Sequence, residues 1–287
     1  MNKVPINWES SGYSVLKNLN ATILGVFCEF IDNSIQSYKN QKSEISKYHE
    51  NYKLKIEISY DGDEIIIKDN AGGINAKDFQ RALKPANRPD NLNGLNEFGL
   101  GMKYAAVWLS NEWELTSSAI GEDIERNVLF NYSEVVTNNL MELPTKEVQK
   151  KESEHYTEVT LRKLEKKHVH PFQWDYLKKK LASIYRNFIR SEDTFFSTWK
   201  EDSIDLIVFG EKLDWKEYGF LKVEWWKDRQ ALVPIPSPVR EWKYKFDWMD
   251  LPIEEEVLEN NKIVNKKKTV QISGFVGILP DGDQKNK

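Results

Sequence analysis

The sequence predicts an α+β fold in which helices pack on a mostly antiparallel sheet, and three observations lead to that prediction. Apolar residues recur at spacings of three and four between positions 15 and 38, as they do on the buried face of a helix. Apolar residues alternate with charged ones between positions 54 and 58, as in a half-buried strand. Three strand-like runs between positions 112 and 161 complete the sheet.

The first elements are a helix and a hairpin. A helix is predicted over 15–38, and a polar linker follows it over 39–52. The strand at 54–58 leads into Asp61-Gly62-Asp63, which is a typical turn sequence, and the return strand covers 65–69. The return strand runs straight into Asp69-Asn70-Ala71-Gly72-Gly73.

A short helix, a long loop and a second long helix come next. The short helix is predicted over 76–83, and the loop from Lys84 to Glu97 is rich in Asn, Pro and Gly. A loop of about 14 residues inside a compact domain is usually functional. The second helix begins at Gly99, and apolar residues fill most of 102–109. The strands that follow it are predicted at 112–117, 126–132 and 156–161.

The charged, histidine-containing segment 163–171 is where we expect a domain boundary. The first domain then spans 1–165, and a smaller second domain spans 166–287. Because the sequence stops shortly after a strand, we expect the second domain to be truncated at its C terminus. Its predicted elements are a helix over 172–189 and strands at 204–209, 220–226 and 269–279.

The composition is that of a globular protein and excludes several classes. Hydrophobic residues make up 40% and charged residues 30% of the chain. A net charge of -4 gives no bulk attraction to nucleic acid or to a membrane. The single cysteine, Cys28, excludes an internal disulfide and fits a reducing compartment. There is neither a signal-type N terminus nor an apolar run of roughly 18 residues, so we expect a cytoplasmic protein with no membrane partner.

Two polar residues interrupt the apolar part of the first helix. Glu29 and Asn33 are four residues apart and therefore lie on one helical face, one turn from each other. A buried carboxylate is costly unless something compensates it. The pair could hold a water and Mg²⁺, which prefers oxygen ligands and binds substrate phosphates. A solvated polar stripe on the helix is the alternative.

Asp69 ends the return strand and is followed closely by Gly72 and Gly73. Glycines allow a sharp turn and the close approach of a flat ligand. An aspartate in front of them can accept a hydrogen bond from an exocyclic amine. The alternative is an ordinary β-turn at the end of a strand.

The segment Gly99-Leu100-Gly101-Met102-Lys103 opens the second helix directly after the long loop. Free backbone N–H groups and the positive end of the helix dipole favour a phosphate at such a place. The chain has no G-x-x-x-x-G-K-[ST] sequence, which excludes a P-loop. The sixth-position glycine of a dinucleotide fingerprint is also missing, and no strand leads directly into the segment.

Taken together and in this order, these segments resemble the GHKL ATPase superfamily of gyrase B, the heat-shock chaperone ATPases, the histidine kinases, and the MutL and MORC proteins. The first three boxes are matched by Glu29–Ser34, Asp69–Ile74 and Phe98–Lys103, and Thr157–Leu161 is similar to the fourth. The resemblance covers about 15–165 and is closest to bacterial MORC-like ATP-binding proteins, some of which act in defence against foreign DNA. It implies a Bergerat-type ATP-binding α/β sandwich followed by a smaller α/β transducer-like domain.

The resemblance implies a role for each matching residue. Glu29 would be the general base that activates the attacking water, and Asn33 would coordinate Mg²⁺. Asp69 would bind the adenine amine, with Gly73 letting the nucleotide lie close and Thr157 supporting the network around the adenine. The other ATP-binding residues would be Ile74, Phe98, Gly99, Leu100, Gly101, Met102 and Lys103, of which Gly99 and Gly101 would donate backbone N–H groups to the phosphates.

Some features of the resemblance are departures or stay open. Residues 84–97 would form the ATP lid. Ala71 and Tyr156 stand where many members have glycine. Relatives bring a lysine from the second domain to the γ-phosphate; Lys285, Lys287 and the three lysines at 266–268 are all candidates, and their spacing does not choose between them.

The function we expect is Mg²⁺-dependent binding and hydrolysis of ATP, which closes the lid and pairs two copies of the chain. ATP and ADP are the expected ligands, while DNA or another protein stays open as a partner. One alternative is a histidine-kinase-like phosphotransferase, but none of the four histidines is predicted to lie on a long dimerisation helix. Another is a sensor module that binds nucleotide without hydrolysing it.

Overall fold

The computed structural model describes residues 12–83, 101–189 and 203–215 of the chain. It also describes the backbone of 222–223, 240–241, 243–259 and 262–277. Backbone contacts divide the chain into two compact units, Met1–Trp215 and Lys216–Lys287. The boundary predicted at residue 165 therefore lies inside the first unit.

The first unit contains a mixed, mostly antiparallel sheet of eight strands in the order β5-β4-β3-β6-β2-β1-β7-β8. Neighbouring strands pair antiparallel except β1 and β7, which run parallel. The strands are β1 (Lys55–Tyr60), β2 (Ile65–Asp69), β3 (Ser110–Ser118), β4 (Ile124–Asn131), β5 (Thr145–Gln149), β6 (Tyr156–Leu164), β7 (Asp205–Val208) and β8 (Glu211–Lys212). With its helices, this sheet confirms the predicted α+β sandwich.

The described helices of the first unit are α1 (Gly12–Lys17), α2 (Ile23–Tyr48), α3 (Ala76–Leu83), α4 (Gly101–Leu109), α5 (Tyr132–Thr137), α6 (Trp174–Ile184) and α7 (Arg186–Ile189), with a 3-10 turn at Pro171–Gln173. Two of them, α2 and α4, supply the candidate site. Helix α2 packs against α4 and also contacts α6. Fully buried residues on these helices include Phe27, Ile31 and Val107. None of the described helices is long and apolar enough to cross a membrane.

The helix predicted over 15–38 is in fact two helices, and the second extends ten residues further, to Tyr48. The break has a local cause, because the Thr22 hydroxyl accepts a hydrogen bond from the Gly25 N–H and caps the start of α2. The predicted polar linker instead continues the helix. Its residues are mostly good helix formers, and Ile45, at 1% exposure, anchors the last turns in the core.

The predicted hairpin is confirmed as β1 and β2, in register from Ile56 opposite Asp69 to Tyr60 opposite Ile65. Asp61 organises its turn, because one carboxylate oxygen accepts the N–H groups of Asp63 and Glu64. The predicted strands at 112–117, 126–132 and 156–161 correspond to β3, β4 and β6. The sequence analysis did not anticipate α5 or the exposed edge strand β5.

The segment from Pro171 to Trp215 completes the first unit. Helix α6 buries Leu177 and Leu181, and β7 extends the sheet beyond β1 with Leu206 and Val208 fully buried. The parallel pairing of β1 and β7 is possible because the chain crosses from β6 through α6 before it returns to the sheet.

The described part of the second unit consists of strands. A two-stranded sheet pairs β9 (Lys222–Val223) with β10 (Arg240–Glu241), and a long hairpin pairs β11 (Lys243–Glu259) with β12 (Lys262–Gly277). In that hairpin Lys266 lies opposite Glu255 and Lys267 opposite Glu254. Two of the candidate lysines therefore face acidic positions across the hairpin, whereas Lys285 and Lys287 lie outside the described residues.

Candidate functional site

Asp69 lies at the end of β2 with its carboxylate almost fully buried, at 7% exposure. The Ser34 hydroxyl of α2 donates a hydrogen bond to its Oδ2 at 2.6 Å, and the Ala71 N–H donates to its Oδ1 at 2.9 Å. Burial raises the pKa of Asp69 to about 6, although these donors act in the opposite direction. The segments predicted as the first and second boxes therefore meet directly, through Ser34.

Gly73 makes the turn after Asp69 possible. Its φ of +72° lies in the left-handed region, and a Cβ there would collide with the backbone carbonyl of Ser118. Its own carbonyl faces α2, where it accepts from the Gln41 amide at 3.3 Å and from the Ser37 hydroxyl at 3.4 Å. Only glycine fits this conformation and this approach of β3.

A buried serine links the turn to the predicted fourth box. The Ser117 hydroxyl of β3 accepts the N–H of Ile74 at 2.9 Å and donates to the carbonyl of Tyr156 at 2.9 Å. It also lies 3.2 Å from the hydroxyl of Thr157, which pairs in register with Asp69 across β2 and β6. Ile74 and Thr157 are therefore held beside the aspartate by one side chain.

Glu29 and Asn33 lie half-buried on α2, one turn from each other. Within the described residues, neither side chain has a hydrogen-bond partner. Burial raises the pKa of Glu29 above its ordinary value, and the neighbouring carboxylate of Asp32 raises it further. A carboxylate whose pKa is raised by burial takes up a proton more readily than a solvated one, which suits a proton acceptor.

The mouth of α4 meets Glu29. Gly101 is the first residue of α4, and a Cβ at this position would collide with Oε2 of Glu29. Met102 is partly buried and packs against the core, while Lys103 is buried at 4% exposure in the first turn of the helix. The third predicted segment, Phe98–Lys103, therefore approaches the first, Glu29–Ser34, at Gly101. Phe98, Gly99, Leu100 and the lid at 84–97 lie outside the described residues.

Asp32 has a partner from a segment that no motif pointed to. Tyr185, between α6 and α7, is 3% exposed, and its hydroxyl donates to Oδ1 of Asp32 at 2.8 Å. The Tyr185 hydroxyl oxygen also lies 3.2 Å from the carbonyl oxygen of Cys28, which accepts from it. Burial raises the pKa of Asp32, while the Tyr185 hydroxyl acts in the opposite direction by stabilising the carboxylate.

The side-chain oxygen atoms of Glu29 and Asn33 suit a hard cation that binds together with phosphate groups. The amide oxygen of Asn33 and the carboxylate of Glu29 are oxygen ligands of the kind that Mg²⁺ prefers, and they point from one helical face. In the described part of the chain no group of three or more His, Cys, Asp or Glu side chains forms a metal cage. A magnesium ion here would need ligands from water and from a nucleotide, which is its usual coordination in phosphate-binding sites.

Several contributing residues were not assigned roles by sequence reasoning. Ser34 and Ser117 carry the hydrogen bonds that connect the boxes, and Gln41 holds Gly73 from a stretch predicted as linker. The helical spacing of Ser34, Ser37 and Gln41 would have shown the shared face if the helix had been extended far enough. The two departures from the family pattern are accommodated: Ala71 is fully buried, and the Tyr156 hydroxyl donates to Glu125.

Comparison with known families gives one finding for this region. Residues 21–163 match the family model described as histidine kinase-, DNA gyrase B-, and HSP90-like ATPase. The match runs from the start of α2 into β6, so it includes every described site residue on α2, β2, α4, β3 and β6 and stops before α6. A search of curated proteins gave no match to the chain.

Proposed function

We propose, from the premise that residues 21–163 form a domain of the histidine kinase-, DNA gyrase B- and HSP90-like ATPase family, that this chain binds ATP with Mg²⁺ and hydrolyses it. One observation carries the proposal. The segment around Glu29 meets both of the others, because Ser34 donates a hydrogen bond to Asp69 and Gly101 approaches the carboxylate of Glu29. A single pocket can therefore face both ends of a nucleotide.

The adenine end of the pocket is the turn after β2. The Asp69 carboxylate accepts a hydrogen bond from the adenine amine, and Gly73 lets the base lie close to the backbone. Thr157, held by Ser117, supports the same network. Because Asp69 is already held by Ser34 and Ala71, it is preorganised for the amine and loses little freedom on binding.

The phosphate end is the mouth of α4. Gly101 would offer its N–H group at the N terminus of α4, where negative charge is favoured, and we expect the preceding Gly99, outside the described residues, to offer another. Asn33 would hold the Mg²⁺. When bound, this ion would neutralise charge on the transferring phosphoryl group. Lys103, which is buried in the same turn, would add a positive charge at this end of the pocket.

Glu29 would accept a proton from the attacking water. The water oxygen forms a bond to the γ-phosphorus as the bond from that phosphorus to the β,γ-bridging oxygen breaks, and ADP leaves with the bridging oxygen. The raised pKa of Glu29 matches this role, because a base works best when its pKa approaches the working pH. The carboxylate of Glu29 lies beside Gly101, at the helix N terminus that would bind the phosphates.

Replacement of Glu29 by glutamine tests the assignment. The amide keeps the shape of the side chain and cannot take the proton, so we expect ATP turnover to fall by about 100-fold or more while the affinity for ATP stays within a few-fold. Phosphate release and calorimetric titration measure the two quantities. Turnover that is unchanged in Glu29→Gln would show that Glu29 is not the base.

The wider role that we propose is a conformational switch of the MORC or MutL kind. ATP would order the lid at 84–97, two copies of the chain would pair, and a lysine of the second domain, one of Lys285, Lys287 or those at 266–268, would reach the γ-phosphate. Switching by ordering a segment on γ-phosphate contacts is an established mechanism. The resemblance to MORC-like proteins supports a role in defence against foreign DNA, including antiviral defence.

The positions of the histidines favour hydrolysis over phosphotransfer to histidine. All four lie in the described residues: His49 follows the last turn of α2, His155 precedes β6, and His168 and His170 lie before the 3-10 turn. None is within a long helix that could present a phospho-acceptor. Incubation with γ-labelled ATP checks this, because a hydrolase yields free phosphate and no acid-labile label on the protein.

A further inference from the structure

Three aromatic rings lie behind the turn that carries Asp69. His49, Tyr52 and His155 form a cluster with ring centroids 5.1 to 5.2 Å apart. His155 is 7% exposed, and Tyr52 is half-buried. His49 is fixed in turn, since its Nε2–H donates to the carbonyl of Ser153 at 2.9 Å. No motif of the sequence pointed to this cluster.

Two of these side chains hold consecutive peptide groups of the turn. The Tyr52 hydroxyl donates to the carbonyl of Asn70 at 2.6 Å, and Nδ1 of His155 donates to the carbonyl of Ala71 at 2.7 Å. Burial lowers the pKa of His155 below its ordinary value, which favours the neutral ring. Since a carbonyl only accepts, the neutral ring must carry its proton on Nδ1.

The hydrogen bond from Tyr52 acts on the same peptide group that binds Asp69. The Asn70 carbonyl and the Ala71 N–H are the two ends of one planar unit. One end accepts from Tyr52, and the other donates to Oδ1 of Asp69 at 2.9 Å. A hydrogen bond at the carbonyl fixes the plane and polarises the N–H, which strengthens its bond to the carboxylate. The bond from His155 fixes the next plane and so limits rotation at Ala71 from the other side.

We infer that Tyr52 and His155 are positioning residues that aim the Asp69 carboxylate at the 6-amino group of the purine and thereby set the preference for adenine. The inference rests on the proposed function, because it assumes that Asp69 binds this amine. Neither side chain needs to touch the nucleotide. Their effect passes through the two peptide groups of the turn.

The test compares two nucleotides that differ only at the group concerned. Purine riboside triphosphate lacks the 6-amino group of ATP and cannot bond to Asp69. The dissociation constants of both nucleotides, with Mg²⁺, are measured on the full chain by calorimetry. Their ratio gives the preference for the amine, and it does not depend on the folded fraction of a preparation.

The variants are Tyr52→Phe, His155→Leu and His155→Asn. Phenylalanine keeps the ring and removes only the hydroxyl, leucine removes the donor, and asparagine restores an N–H near the position of Nδ1. We expect the preference for ATP to fall by about 3- to 10-fold in Tyr52→Phe and His155→Leu, which is what the loss of one hydrogen bond allows. His155→Asn should keep most of it. Tyr176→Phe, on the exposed face of α6, is the matched control and should leave the ratio unchanged.

The outcomes separate this inference from the proposed function. If the variants weaken ATP and purine riboside triphosphate equally, the cluster only stabilises the fold and the inference is wrong. The inference is also wrong if the ratio is unchanged in Tyr52→Phe and His155→Leu but falls in Asp69→Asn. That result would leave the proposed function intact, because Asp69 would still recognise the amine. If the unmodified chain binds neither nucleotide, or binds both equally well, the adenine role of Asp69 fails and the inference fails with it.

Discussion

At the scale of single residues, Asp69 combines a structural cost with a proposed recognition role. A carboxylate at 7% exposure is expensive to ionise, and burial raises its pKa to about 6 in spite of the hydrogen bonds from Ser34 and Ala71. The fold nevertheless keeps this group at the end of β2. Such a conflict between stability and local chemistry is typical of functional positions.

Replacement of Asp69 by asparagine should separate these two properties. The amide can accept from Ala71 and donate to Ser34, whose own hydroxyl then turns to the carbonyl of Phe30, 3.1 Å away. The fold is therefore retained without a buried charge. The affinity for ATP should fall by about 10- to 100-fold, because a hydrogen bond to a charged acceptor is lost. Calorimetric titration measures this change.

The same variant should change how stability depends on pH. The pKa of Asp69 is about 6 in the folded protein and about 3.9 in an unfolded chain, so the folded state holds the proton more tightly. Protonation of this carboxyl therefore contributes up to about 3 kcal/mol to the free energy of unfolding. The contribution is complete below about pH 4 and is lost as the pH rises through about 6. The difference in free energy of unfolding between the unmodified chain and Asp69→Asn should therefore shift in favour of the variant from about pH 4 to about pH 7. Urea unfolding at several pH values measures it; a constant difference would mean that Asp69 is not buried as a charge.

Motifs named the residues that would touch the nucleotide more readily than the residues that support them. Glu29, Asp69 and Gly73 stand out because their chemistry conflicts with an apolar helix or a strand end. Ser117 gives no such signal, since a serine in a strand is common and its role depends on pairing between β3 and β6. Tyr52 and His155 are also far apart in sequence and meet only in the folded chain.

At the scale of elements, two glycines determine how closely segments approach each other, and they differ in what surrounds them. A Cβ at Gly101 would meet the end of a flexible side chain, that of Glu29. A Cβ at Gly73 would meet the backbone of Ser118, and its φ of +72° adds strain. The first contact can be relieved by a rotation of Glu29, whereas the second requires the turn to move.

Gly101→Ala and Gly73→Ala are therefore a matched pair with different expected results. In Gly101→Ala the fold should keep its melting temperature, but ATP turnover should fall by roughly 10-fold or more because Glu29 is displaced. Gly73→Ala should lower the melting temperature by several degrees and weaken ATP binding. Thermal unfolding and phosphate release distinguish the two. Equal effects on stability would contradict the contacts described for these glycines.

The elements also show where periodicity is informative and where it is not. The alternation at 54–58 and the turn at Asp61-Gly62-Asp63 predicted a hairpin that the structure confirms. The end of α2 was missed because its last turns are polar, and only Ile45 marks their buried side. Strand β5 was missed for a related reason: every residue in it is exposed, so no apolar pattern exists.

At the scale of the whole molecule, the first unit extends beyond the segment that matches the family model. Helix α6 and strand β7 bury Leu181, Leu206 and Val208 completely against the rest of the unit. Tyr185 reaches α2 from this extension and bonds to Asp32. The boundary predicted at 165 followed a charged sequence, but in the structure this charged segment joins β6 to α6 within one unit.

Shortened chains test how much of the molecule the site requires. A chain that ends at Trp215 keeps the eight-stranded sheet that the structure describes in the first unit, so we expect it to fold and to bind ATP. A chain that ends at 165 exposes β1 and the face of α2 that packs on α6, and we expect it to aggregate or to unfold. Circular dichroism and nucleotide titration compare the two. Cooperative folding of the shorter chain would show that α6 and β7 are dispensable.

The most direct test of the central claim is a crystal structure of the chain with Mg²⁺ and a non-hydrolysable ATP analogue. We predict that the adenine amine lies within hydrogen-bonding distance of Asp69, the ion is coordinated by Asn33, and the γ-phosphate faces Glu29 at the mouth of α4. A nucleotide bound elsewhere, or bound with its base away from Asp69, would contradict the proposal that these segments form one ATP pocket.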